Sequence, residues 1–217
     1  MSGVLDPTIS PDIGEQNQRR RIIDAMVECC AEKTFAATTI ADIVKRASIS
    51  RTTFYKRFAN KRSCFDGALD HCIDVLREAT VAAHDPADPP VEAVRKAATA
   101  TLKLMASRPG LAQLVMGDAV MVEPAVVKRY RELVIPAMEN LWAQAGEPGR
   151  SWADPDLAFG RVQVLIFSQI AAGRTAQLLE LLPEVTYVAL LPFVGHDEAV
   201  RQAQVPGSGP TSGGPTS

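Results

Sequence analysis

No run of about 20 apolar residues, the length needed to cross a bilayer, is found in this 217-residue chain. The longest apolar patches, such as 185–194, are interrupted by polar residues or proline. The N-terminal MSGVLDPTISPDIGEQNQ lacks a basic stretch followed by an apolar core, so it does not read as a secretory signal, and a cytoplasmic location is expected. Cysteine is scarce: Cys29, Cys30, Cys64 and Cys72 include no CxxC pair, and His71-Cys72 has no partner at ligand spacing. Each cysteine reads as a small buried hydrophobe. GxSxG, P-loop, GxGxxG and HExxH motifs are all missing. His71, His84 and His196 show no catalytic spacing, and Asp154/Asp156 lie in a turn, where aspartate is expected anyway. Nothing motivates an enzyme, a metal site or a cofactor. Period-2 strands and internal repeats are missing as well.

What remains is helical. Hydrophobic residues make up 47% and charged residues 22%, an ordinary globular balance. Apolar spacing is helical nearly throughout. Residues 1–18, with Pro7, Pro11 and Gly14, read as a mobile arm. A first helix is expected over 19–34 and a second after Thr38-Thr39, where Thr39 and Asp42 have capping-box spacing. Ser50 is a good N-cap for a third helix at 51–58, and Asn60 for a fourth running to about His84. The prolines of HDPADPP (84–90) end that helix. Further helices are expected at 91–107, 111–117, 125–145 (kinked at Pro136), 155–180 and 184–195. The tail 201–217, rich in Pro, Gly, Ser and Thr, reads as disordered.

Charge is unevenly spread. Residues 19–62 hold 11 Lys+Arg and 4 Asp+Glu, about +7, which leaves 12 basic and 21 acidic residues elsewhere, about −9. A basic N-terminal third on an acidic remainder points to a polyanionic partner at that end. The segment ISRTTFYKRFANK (49–61) concentrates the pattern: Arg51, Lys56, Arg57 and Lys61 with no acid. Two short helices joined by a tight turn, the second basic, describe a helix-turn-helix. Phe54 and Phe58, at i and i+4, face inward with Ile49. Arg51, Thr52, Tyr55 and Lys56 form a stripe on another face, flanked by Thr53 and Arg57. Such an element fits a major groove, where Arg51 can reach guanine O6/N7. Thr52 and Thr53 suit phosphate or a thymine methyl, and Tyr55, Lys56 and Arg57 suit the backbone. Lys61, at the start of the fourth helix, and Thr39, at the start of the second, are placed for phosphate. Arg19-Arg20-Arg21 either reach a minor groove or phosphates, or solvate the first helix. A solvated face is the competing reading of the basic stripe, but such a face normally mixes signs. A membrane-surface helix needs a wider apolar face than eight residues supply.

The stretch TTIADIVKRASISRTTFYKRFANKRSCFDGAL (38–69) resembles the N-terminal DNA-binding signature of the TetR family of transcriptional regulators. The resemblance is carried by Thr39, Ile43-Val44, Ser48-Ile49-Ser50, Tyr55-Lys56-Arg57-Phe58 and Asn60-Lys61, and with the first helix it covers about 19–70. Ser48 stands where glycine is usual in the turn, Thr52 where glycine is common, and Val44 where alanine is usual, so base preference does not carry over. The resemblance implies an all-α protein with a three-helix DNA-binding head at 19–66 and a larger helical effector-binding and dimerisation domain at 67–200. It also implies a homodimer paired through the last two long helices, here 155–180 and 184–195, and a repressor released from operator DNA by a small, largely apolar effector. Met105, Met116, Met121, Trp142, Phe159, Gln163 and Phe167 are the candidate effector contacts, with ordinary core packing as the competing reading. Two other functions compete: a helical carrier or enzyme with a vestigial helix-turn-helix, and a DNA-binding protein answering to a protein partner.

Overall fold

The computed structural model describes residues 11–83, 85–119 and 154–205, with 134–136, 139 and 143 between them. Among the described residues every regular element is helical. Helix α1 is Pro11–Ala37, α2 Ile40–Arg46, α3 Arg51–Arg57, α4 Lys61–Ala82 and α5 Pro90–Ser107. A short α6, Pro109–Ala112, continues into a π-helical turn, Gln113–Asp118. Then come α7 (Pro155–Ala171), a 3₁₀ stretch (Thr175–Leu181), α8 (Leu182–Val194) and α9 (His196–Ala203).

Several boundaries differ from those read off the sequence. Residues 11–18, expected in the arm, belong to α1, because proline is tolerated in a first helical turn. Near its other end α1 is interrupted at Thr34, whose φ of 68° and ψ of 161° are not helical. The expected 155–180 helix breaks after Ala171, where Gly173 takes a φ of 72°, and resumes as the 3₁₀ stretch. At the other end of α8, Gly195 takes a φ of 78° and α9 follows, so 201–203, expected in the disordered tail, are helical. The expected 125–145 helix lies largely outside the described residues, as do His84, Met121 and Trp142.

One continuous apolar cluster joins the N-terminal helices to the rest. Ile22, Met26, Cys29 and Cys30 of α1 meet Ile43 of α2, Phe54 of α3 and Phe65, Leu69 and Leu76 of α4. The same cluster takes in Leu102 and Met105 of α5, Leu114 and Met116 of the π turn, and Ile166 and Ile170 of α7. The expected border between head and body, at residues 66 and 67, falls inside α4, whose residues on both sides enter this cluster. A smaller cluster forms where Val94, Leu190 and Ala199 bring α5, α8 and α9 together. The stretch Thr175–Val194 reaches the length and mean hydropathy, 1.4, of a membrane span. It is nevertheless split between two helix types, carries Glu180 and Glu184, and contributes Leu178, Val185 and Leu190 to the two clusters.

A candidate nucleic-acid interface

Helices α2 and α3 have seven residues each and are fixed by their ends. At α2 the capping box forms as spaced: Asp42 N–H donates to Thr39 Oγ1 at 3.2 Å, and Thr39 N–H donates to Asp42 Oδ2 at 2.8 Å. Lys33 Nζ lies 2.8 Å from Asp42 Oδ1, and this contact, with the Thr39 bonds, holds the Asp42 carboxyl far below the usual range. At the far end, Arg21 Nη2 donates to the carbonyls of Ala47, at 2.5 Å, and Ser48, at 3.4 Å. Ser48 turns the chain with a φ of 51°, in the left-handed region that glycine adopts at least cost. Ser50 then caps α3, accepting from Thr53 N–H at 3.0 Å.

The orientation of α3 follows from its two phenylalanines. Phe54 is fully buried and Phe58 nearly so. Their side of the helix faces the core, which leaves Arg51, Thr52, Tyr55 and Lys56 exposed on the opposite stripe. Tyr55 is 53% exposed although its ring packs edge-on against Phe54 at 5.5 Å. About two acid-free turns of helix therefore present two cations, a hydroxyl and a phenol outward. That combination suits a phosphate-lined groove.

Other predicted contacts are otherwise engaged. Thr53 is half-buried, with its hydroxyl 2.9 Å from Ser50 Oγ, so it holds the cap. Thr39 donates its hydroxyl to Asp42 Oδ2 at 2.7 Å. Arg57 turns out of the stripe toward α1, where Nη1 pairs with Glu15 at 2.8 Å. Lys61 does not point at an open anion site. Its Nζ donates to the carbonyls of Phe35, at 2.9 Å, and Thr38, at 2.8 Å, and lies 4.2 Å from the centre of the Phe35 ring. The cation thus neutralises the carbonyl end of α1, a favourable place for positive charge. Of the three consecutive arginines, Arg19 stacks on Phe58 at 5.2 Å, Arg20 pairs with Asp24 and Arg21 holds the turn. They brace the head.

The joint with the body contains a residue that spacing did not reveal. Asp118, buried at the end of the π turn, accepts from Phe35 N–H at 3.0 Å. Burial raises its carboxyl above the ordinary range, and the bonds from Phe35, Gln113 and Cys30 oppose that shift. Its one sequence signal is a lone acid in the apolar stretch LAQLVMGDAVMV (111–122). Glu15, Gln18 and Lys33 were likewise not singled out, since their partners are distant in sequence or on another helix.

Of the expected effector contacts, five lie among the described residues, and Met121 and Trp142 do not. Met105 and Met116 are fully buried in the main cluster, and Phe159 and Gln163 are half-buried on α7. Phe167, expected to face a pocket, is 44% exposed on an outer stripe of α7 with Leu157 and Val164. Burial pushes the thiols of Cys30, Cys64 and Cys72 up to about 12, so they stay protonated, as buried hydrophobes do.

Residues 22–68 match the family profile of the bacterial regulatory proteins, tetR family. An uncharacterized HTH-type transcriptional regulator of Mycobacterium tuberculosis is 39% identical over 59 residues, which cover 27% of this chain and 31% of that relative's length. The alignment therefore spans about a third of the curated relative. Solved structures match over far more of the chain. The fatty acid degradation regulator FadR from Bacillus halodurans superposes with a TM-score of 0.69 at 18% identity, covering 80% of this chain and 94% of that one. FadR from Bacillus subtilis in complex with stearoyl-CoA gives 0.62 at 19% identity, covering 81% and 98%. RolR in complex with resorcinol gives 0.60 at 18% identity, covering 89% and 96%. At such identities the likeness is one of fold.

Proposed function

We propose, from the match of residues 22–68 to the tetR family profile and from the shared fold, that this chain is a TetR-family, sequence-specific, DNA-binding transcriptional repressor. The carrying observation is the exposed stripe of Arg51, Thr52, Tyr55 and Lys56 on a helix pinned by Phe54 and Phe58. In this reading α3 enters the major groove. Arg51, near its N-terminal end, donates in a fork to guanine O6/N7, which discriminates by about 1–3 kcal/mol per base pair. Thr52 meets a thymine methyl or a phosphate, and Tyr55 and Lys56 bind the backbone. Ser50 and Thr53 keep the helix capped, with Thr39 opening α2 nearby.

The working unit is a homodimer in the cytoplasm. Leu157, Val164 and Phe167 expose an apolar stripe on α7, and burying it against a second copy, with α8 alongside, removes that area from water. Two α3 helices then meet successive major grooves when their spacing is about 34–36 Å or a multiple. The effector is a small, largely apolar molecule held among α5, α7 and the π turn. Two proteins of this fold are seen with stearoyl-CoA and with resorcinol, which supports a ligand of that general character. Its binding favours an arrangement with the heads apart, and by linkage operator DNA weakens effector binding by the same factor.

An operator shift assay on DNA upstream of the protein's own gene tests this. Arg51→Ala is expected to lose about tenfold or more in affinity and to relax preference at one base pair. Lys56→Ala should weaken all sequences alike and lower the salt slope by about one. Unchanged, salt-insensitive binding in both variants would sink the assignment. Ligand binding with no footprint anywhere would favour a carrier instead.

A further inference from the structure

Arg57 is the one arginine of α3 that does not face outward. Its side chain is 17% exposed, Nη1 pairs with Glu15 at 2.8 Å, and Nη2 makes a long bond of 3.4 Å to Gln18. Its Nε is buried without an acceptor. A guanidinium carries five donors and is always charged, so this one is under-satisfied and rests chiefly on a single carboxylate. Glu15 is the opposite case. It is 57% exposed on the first turns of α1, and its carboxyl is held below the usual range by the bond and charge of Arg57, with the nearby charge of Lys56 adding to them. An exposed acid thus sits on the cationic flank of the helix proposed to read DNA, beside the exposed Lys56.

Resting on that DNA-binding reading, we infer that Glu15 is an internal counter-anion: in the free protein it holds the place on Arg57 that a backbone phosphate takes in the complex. The fork of Arg57 matches phosphate as well as carboxylate. Duplex DNA carries one charge per about 1.7 Å of axis, a far denser field than one side chain presents. Close approach of α3 therefore exchanges the ligand of Arg57, while a loosely held duplex meets a neutralised arginine and a repelling acid. Glu15 lowers non-specific affinity more than specific affinity, and so sharpens discrimination. Residues 11–18, outside the helix-turn-helix itself, become part of the specificity machinery.

The test is the salt dependence of binding of the full chain to a duplex of random sequence. Wild type is compared with Glu15→Gln, Arg57→Met, Arg57→Lys and the pairwise combinations. Glu15→Gln should bind several-fold tighter, with a log K against log salt slope steeper by about 0.9, one phosphate's worth. With Arg57→Met the steepening should vanish. With Arg57→Lys, which keeps the cation, it should return. Weaker binding by Glu15→Gln would show that the pair merely positions α3, and would overturn the inference. Tighter binding with the same slope in every background would reduce Glu15 to general repulsion, and would also overturn it. A wild type that binds no duplex defeats the regulator reading itself; a binding wild type matched in affinity and slope by Glu15→Gln defeats only this inference.

Discussion

The head and the body of this molecule are held by different physics. In the head, α2 and α3 have seven residues each, well below the roughly 12–15 at which an isolated helix is even marginal in water. Polar ends compensate: capping boxes at Thr39 and Asn60, the Ser50 cap, and the clamps of Arg21 on Ala47 and Lys61 on Phe35 and Thr38. In the body, α5 and α8 begin with proline in the first turn and no side-chain cap, and apolar packing carries them. Short elements need directional bonds to fix their placement, and a reading helix must be placed to within a hydrogen bond. Longer apolar helices gain stability from area, which tolerates exchange of one hydrophobe for another.

The contrast can be broken most severely at Phe54, the fully buried residue that ties the capped head into the shared cluster. Phe54→Ala is expected to cost about 3–5 kcal/mol. Because the cluster is continuous, urea denaturation should show one transition at a lower midpoint, and a two-step curve would show that head and body unfold independently. A smaller effect is expected at Asp118, the polar bond across the joint. Asp118→Ala orphans the Phe35 N–H and should cost about 1–3 kcal/mol.

Asp118→Asn sharpens the same point through pH. Burial raises the native pKa of Asp118, so the native state holds this proton more tightly than the unfolded chain. Its stabilising contribution is full below the unfolded value of about 3.9, and is lost as pH rises through the native value. The stability of Asp118→Asn relative to wild type should therefore rise as pH increases above about 4, read from urea midpoints; a pH-independent difference would refute the cause given. The smallest effect is expected at Ser48, whose φ of 51° strains a non-glycine residue. Ser48→Gly should raise stability by about 1 kcal/mol or less, a melting shift of about 2–4 °C at most for a chain of this size. A fall would mean that the hydroxyl holds the turn.

The same contrast explains what was legible in the sequence. Caps occupy fixed spacings, so Thr39 with Asp42, Ser50, and Asn60 were readable, as was the inward pair Phe54 and Phe58. The four exposed side chains of α3 followed from that pair by helical geometry alone. Long-range polar partners leave no such spacing. Arg57 with Glu15, Lys61 with Phe35 and Thr38, and Phe35 with Asp118 join positions far apart in the chain, so the internal partners of Arg57 and Lys61 in the DNA-free protein were not legible. The body was readable as helices but not as a site. An apolar position in a packed helix looks the same whether it meets a neighbour, a ligand or, as Phe167 does, the outer surface.

Helix α1 touches α3 through Glu15 and receives Lys61 and Asp118 near its other end. Any chimera that transplants the recognition unit into another regulator should respect those seams. A cassette cut at residues 19 and 66 would leave behind both Glu15 and Asp118, and so strip Arg57 of its anion and Phe35 of its acceptor. Carrying residues 11–82 and placing an aspartate opposite Phe35 in the recipient would keep every such bond, which makes one buried carboxylate the condition for interchangeable heads.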